Sequence, residues 1–145
     1  MTKTIQIKRA YEPPARGDGR RVLVERLWPR GMKKEQLVLD DWLKDVAPST
    51  ALRQWYGHRV ERWPEFRRRY RSELRRAPAC ERLLRDAQHG KLTLLFSAHD
   101  PVHNSAHVLR DYLERRIARN SEASRGSRVW THAKRRVRGR PARIR

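Results

Sequence analysis

Residues Leu92 to Ser97 read Leu-Thr-Leu-Leu-Phe-Ser, an almost continuous apolar run of strand length. A strand that apolar on both faces belongs inside a sheet covered on both sides, the setting of parallel sheets in α/β proteins. A loop at His99–Val102 follows. The spacing of Ala106, Leu109, Leu113 and Ile117 then predicts a helix from Asn104 to Ile117 with those residues inward. At 145 residues the chain has room for one such core.

Thr4 to Arg9 and Arg21 to Leu27 show apolar residues at period two (Ile5 and Ile7, then Val22 and Val24) and predict two further strands. The loop between them, Glu12 to Gly19, is dense in Pro and Gly. Lys33 to Val46 fits a helical face and an alternating strand about equally, so it is read as a short helix running into an extended or helical piece. Ser49 is placed to cap a short helix through Tyr56, with Gly57 as its stop. Val60 to Arg76 predicts the clearest amphipathic helix: Trp63, Phe66, Tyr70 and Leu74 share one face, and Pro64 falls in the first turn. Another helix starts at Pro78 and ends at Gly90. Strands covered by helices predict a single small three-layer α/β domain with a mostly parallel sheet, over residues 1–118.

Charge separates the rest. Of the formal net charge of +20, +9 lies in residues 119–145, which hold ten Lys or Arg and one acid, Glu122. Apolar periodicity is lost there, so a disordered basic tail is expected. Arg accounts for 29 of the 36 cations, a bias produced equally by anion binding and by a GC-rich genome. No apolar run approaches a membrane span, and Met1 to Lys8 lacks a signal-peptide core, so cytoplasmic residence is expected. The single cysteine, Cys80, excludes an internal disulfide.

Several phrases stand out together: Arg26-Leu27-Trp28-Pro29-Arg30-Gly31, Leu39-Asp40-Asp41-Trp42-Leu43-Lys44, Ala47-Pro48-Ser49, Gly57-His58, and Leu94-Leu95-Phe96-Ser97-Ala98 followed by Asn104. In these the chain resembles the DUF488 family, also called YeaO-like, over about residues 4–115. The resemblance implies a small cytoplasmic prokaryotic α/β protein and says little about a reaction. The basic extension after Ile117 departs from the compact family pattern.

Ligands of open α/β sheets collect at the carboxyl ends of strands. Arg26 and Arg30 place two guanidinium forks near such an end, Trp28 offers a flat surface, and Gly31 permits close backbone approach. A phosphate, carboxylate or stacked base suits that equipment; a Trp packed under an Arg stem beside a plain turn is the competing reading. Ser97 to Asn104 is the second candidate, with Ser97 and Asn104 as ligand contacts, although the same residues make a helix-capping loop. Arg53 and His58 complete the ligand-binding set. His103 and His107 have the spacing of two metal ligands on a helix but lack the accompanying glutamate, so no metal site is assigned. Which cofactor, if any, the protein uses and whether it is an enzyme stay open.

The leading expectation is a pocket for a small anionic metabolite such as a nucleotide. The alternative is a nucleic-acid-associated accessory protein that works through Arg67, Arg68, Arg71 and Arg75 of the long helix and Lys134, Arg135 and Arg136 of the tail. Oligomeric state is not legible in the sequence, and no membrane partner is expected.

Overall fold

A computed structural model describes residues 5–139, with side chains described as far as Ala123. Four strands form one sheet: β1 Ile5–Arg9, β2 Arg20–Leu23, β3 Asp41–Trp42 and β4 Leu92–Phe96. Their order is β1-β4-β2-β3, and all three pairings are parallel. The apolar run is β4. It lies between β1 and β2 and is buried at all of its residues. Register sets Ile7 and Val22 on either side of Leu94, so one apolar row crosses the sheet centre. Each such Leu contributes roughly 2 kcal/mol when fully buried.

The helices are α1 Lys34–Leu37, α2 Thr50–Tyr56, α3 Trp63–Leu74, α4 Ala79–His89 and α5, which starts at Ser105. The α/β class expected from the sequence is therefore the one observed. Ser49 caps α2 through its hydroxyl, which accepts the Leu52 N–H at 3.1 Å, and Gly57 ends the helix at φ 52°. The predicted helix at Val60 starts as a tight 3-10 turn over Val60–Arg62, and regular helix begins at Trp63 with Pro64 in its first turn. Phe66, Tyr70 and Leu74 are buried, and the Tyr70 hydroxyl donates to the Val46 carbonyl. Cys80 is a buried thiol on α4, outside any disulfide.

Three local features sharpen the sequence reading, and the first of them, a short helix running into an extended piece, follows it. Lys33 to Val46 holds α1, then β3, then a 3-10 turn, because Val38 takes up a left-handed conformation (φ 50°) that stops the helix and releases Asp41 and Trp42 to pair with Val22 and Leu23. β2 ends at Leu23 rather than Leu27, since only Val24 continues its bonding to β4. The Pro/Gly-rich loop contains a buried anchor: Asp18, 2% exposed, accepts hydrogen bonds from Lys8, Arg21, Gln6 and the Ala15 N–H. Gly19 beside it is required by geometry, because at φ 63° a Cβ would lie 2.2 Å from the Lys91 carbonyl oxygen.

The chain divides into two units, Met1–Glu114 and Arg115–Arg145. The helical backbone of α5 extends to Gly139. The sequence reading expects a disordered tail over residues 119–145; the described helical backbone covers residues 119–139 of that stretch, and residues 140–145 lie outside the described residues. Among the described residues no helix is long and apolar enough to cross a membrane.

Candidate functional site

The carboxyl ends of β2 and β4 open into a cleft of about 450 Å³. Its walls come from the segments after these two strands, from α2 with Gly57 and His58, and from Phe66 of α3. The sheet order explains the location: β2 and β4 are neighbours, so the two loops singled out in the sequence emerge side by side.

Glu25 is the first residue to leave the β2 edge, and it anchors the site. Its backbone carbonyl accepts the Trp42 indole N–H at 2.5 Å. Its carboxylate reaches across to β4, where Oε1 accepts the Ser97 hydroxyl at 2.6 Å and the Ser97 N–H at 3.0 Å. Burial pushes its pKa above the usual glutamate value, and the Ser97 hydrogen bonds and the Arg53 charge work against that rise. Arg26 follows. It is half-buried, and its Nε donates to the Pro48 carbonyl at 2.9 Å. Its terminal nitrogens have no hydrogen-bond partner among the described residues.

Arg53 enters from α2 and is exposed, as is His58. His58 stands at φ 59° directly after Gly57 at φ 52°, so two successive left-handed residues turn the chain over the cleft. A left-handed His is uncommon and carries some strain. Its ring lies 6.3 Å from that of Tyr56.

Arg9, at the end of β1, secures the loop after β4: Nε donates to the Ala98 carbonyl at 3.1 Å, and Nη2 contacts the Ser97 carbonyl and His99 Nδ1. Asp100 turns the loop into α5. Its Oδ1 accepts the N–H groups of Val102 and His103, and these bonds hold its pKa down at about 2. Asn104 is buried; its amide N–H donates to the Asp100 carbonyl and its Oδ1 accepts the His107 N–H. That side chain lines the cleft but is committed to capping, the competing role weighed from the sequence.

Arg26, Arg53, His58, Ser97 and Asn104 are thus brought together, and Trp28 and Arg30 are not. With β2 already ended, the chain turns at Pro29, where the Met32 N–H donates to the Pro29 carbonyl and Gly31 stands at φ 79°. Trp28 packs against the buried cluster of Ala10, Leu23, Leu37 and Leu95, lies edge-on to Trp42 at 5.4 Å, and donates its indole N–H to the Met32 carbonyl. Arg30 is exposed on the far side of this turn, where its carbonyl accepts the Tyr11 hydroxyl. The grouping of Arg26 with Trp28 and Arg30 is therefore corrected: the first lines the cleft, the second is partly buried against the core cluster and the third is exposed. Glu25 was missed by the sequence reading. The available signal was an acid at the predicted end of a strand beside a second candidate loop.

His103 also lines the cleft, paired with Asp100 at 2.9 Å and edge-on to Trp63 at 5.2 Å. Among the described residues no group of three or more His, Cys, Asp or Glu side chains is arranged to hold a metal ion.

The basic stripe on α3 is partly neutralised. Glu65 binds Arg68 through two contacts of 2.8 and 2.7 Å and Arg69 through one of 2.8 Å. The guanidinium groups of Arg69 and Arg62 lie 4.4 and 5.1 Å from the centre of the Trp55 ring. Arg67 is half-buried, Arg71 has a partner of its own, and Arg75 is exposed. The side chains of Lys134, Arg135 and Arg136 lie outside the described residues.

A family model described as "Inactive DUF488-N3 subclade" matches residues 4–132. The uncharacterized protein YeaO of Escherichia coli (strain K12) is 46% identical over 110 residues, covering 75% of this chain and 96% of YeaO. The chain belongs to the DUF488 family. An uncharacterized protein of Mycobacterium tuberculosis (strain H37Rv) is 39% identical over 108 residues, 74% of this chain and 86% of its own length. The family match extends into the second unit, whereas these two relatives match about the length of the first. No solved structure matches the chain.

Proposed function

We propose that the cleft at the ends of β2 and β4 binds a compact anionic metabolite such as a nucleotide. The observation that carries this reading is that Arg26, whose terminal nitrogens have no hydrogen-bond partner among the described residues, and the exposed Arg53 line one concave site beside His58 and Ser97, Arg26 also lining a second cavity beside Tyr70 and Glu73. Guanidinium forks suit phosphate and carboxylate oxygens, and a position outside strand carboxyl ends is the usual ligand site of open α/β sheets. The word "inactive" in the matching subclade's description agrees with binding without turnover. A thermal-shift screen of nucleotides and other anionic metabolites tests the reading, because a ligand that binds only the native state raises its melting temperature. A parent protein that no anion stabilises would contradict it.

A second reading rests on the second unit. Residues 119–145 carry +9 of the formal charge. Such a segment supports sequence-independent contact with nucleic-acid phosphates. Binding of a duplex that weakens steeply with salt is its expected sign.

A further inference from the structure

The cleft is not uniformly cationic, and its one half-buried acid is oriented. Glu25 Oε1 is occupied by the Ser97 N–H and hydroxyl. Oε2 has no hydrogen-bond partner among the described residues, although Glu25 lines the cleft together with Arg26 and Arg53. A carboxylate oxygen left open in this way repels a plain anion and accepts a hydrogen bond from any donor that reaches it. We propose that Glu25 is a specificity-determining residue, and that its open oxygen selects ligands carrying a hydroxyl donor beside their anionic group, as in a sugar phosphate.

The proposal rests on the anion-binding reading above and narrows it. Ser97 fixes the direction of the carboxylate with two bonds, so little side-chain freedom is lost when the open oxygen takes a donor. The two arginines receive the phosphoryl oxygens on one side, and Glu25 receives a hydroxyl on the other. A phosphate ester without a hydroxyl meets the arginines but leaves the open Glu25 oxygen without a donor. This is selection by a penalty on the wrong ligand as well as by a contact to the right one.

Calorimetric titration of the full chain with ribose 5-phosphate and with methyl phosphate tests this directly. The parent protein should bind ribose 5-phosphate at least about tenfold more tightly, the effect of one hydrogen bond to a charged group. In Glu25→Gln the amide oxygen can still accept from Ser97, while the open position becomes an uncharged donor. That variant should lose most of the preference by weakening ribose 5-phosphate and sparing or improving methyl phosphate. Equal affinities in the parent, or an undiminished preference in Glu25→Gln, would overturn the assignment while leaving the anion site standing. Failure of both esters to bind a parent that does bind AMP would remove this inference alone, whereas failure of both esters and of AMP would remove the anion-binding reading with it. Should Glu25→Gln not fold, Glu25→Asp, which withdraws the charge by one methylene, is read in the same way, and the parent's ratio alone still decides.

Discussion

Glu25 and Ser97 join the carboxyl ends of two neighbouring parallel strands by side-chain hydrogen bonds, with the Glu25 Oε1 to Ser97 Oγ distance at 2.6 Å. The pair closes the floor of the cleft just where the backbone ladder stops. It is therefore both a structural tie and the source of the site's only raised carboxyl pKa among the described residues.

That raised pKa fixes a sign. The folded protein holds the Glu25 proton to higher pH than the unfolded chain does, so between the two values the native state binds more protons. Stability from this group falls as pH rises through the window just above the ordinary glutamate range. Urea denaturation of the parent and of Glu25→Gln across pH 4 to 8 should show the parent losing stability relative to the variant as pH increases.

Asp18 behaves in the opposite sense. Burial alone would raise its pKa, but the Ala15 N–H, Lys8 and Arg21 outweigh it and hold the value at about 2. Its contribution is present above the ordinary aspartate value and is lost as pH falls toward 2. Asp18→Asn leaves Arg21, only 4% exposed, without its anion. A loss of about 3 kcal/mol is expected in denaturant unfolding at pH 7, with the difference between parent and variant shrinking as the pH is lowered.

The contrast between these two acids shows what the sequence could disclose. β4 was legible because its apolar run has one physical solution, and α3 because Phe66, Tyr70 and Leu74 repeat at helical spacing. Ser49 was legible as a cap because capping is local. Asp18 looked like a loop residue, since Lys8 reaches it from another strand. Glu25 was invisible for the same reason: its partner Ser97 is 72 positions away. The Arg26–Trp28–Arg30 grouping failed on a short-range detail, because β2 stops at Leu23 and the Pro29 turn sends alternate residues to core and surface. Candidate loops were thus readable from local pattern, whereas their assembly into a cleft depended on the strand order.

The basic segment yields a separate expectation. If it contacts nucleic acid, replacing Lys134, Arg135 and Arg136 by Gln should lower the slope of log affinity against log salt by up to about 3, because fewer counterions are released. Fluorescence anisotropy with one labelled duplex at several salt concentrations measures that slope. An unchanged slope would remove these residues as phosphate contacts.

The central claim is that Arg26 and Arg53 form the anion-binding wall of the cleft while Arg30 stands outside it. Isothermal titration of AMP into the parent, Arg26→Ala, Arg53→Ala and Arg30→Ala proteins tests it most directly. Loss of one charge-assisted contact should weaken binding about tenfold or more in each of the first two, with Arg30→Ala matching the parent. Parent-like affinity in Arg26→Ala and Arg53→Ala, or a loss confined to Arg30→Ala, would contradict the account.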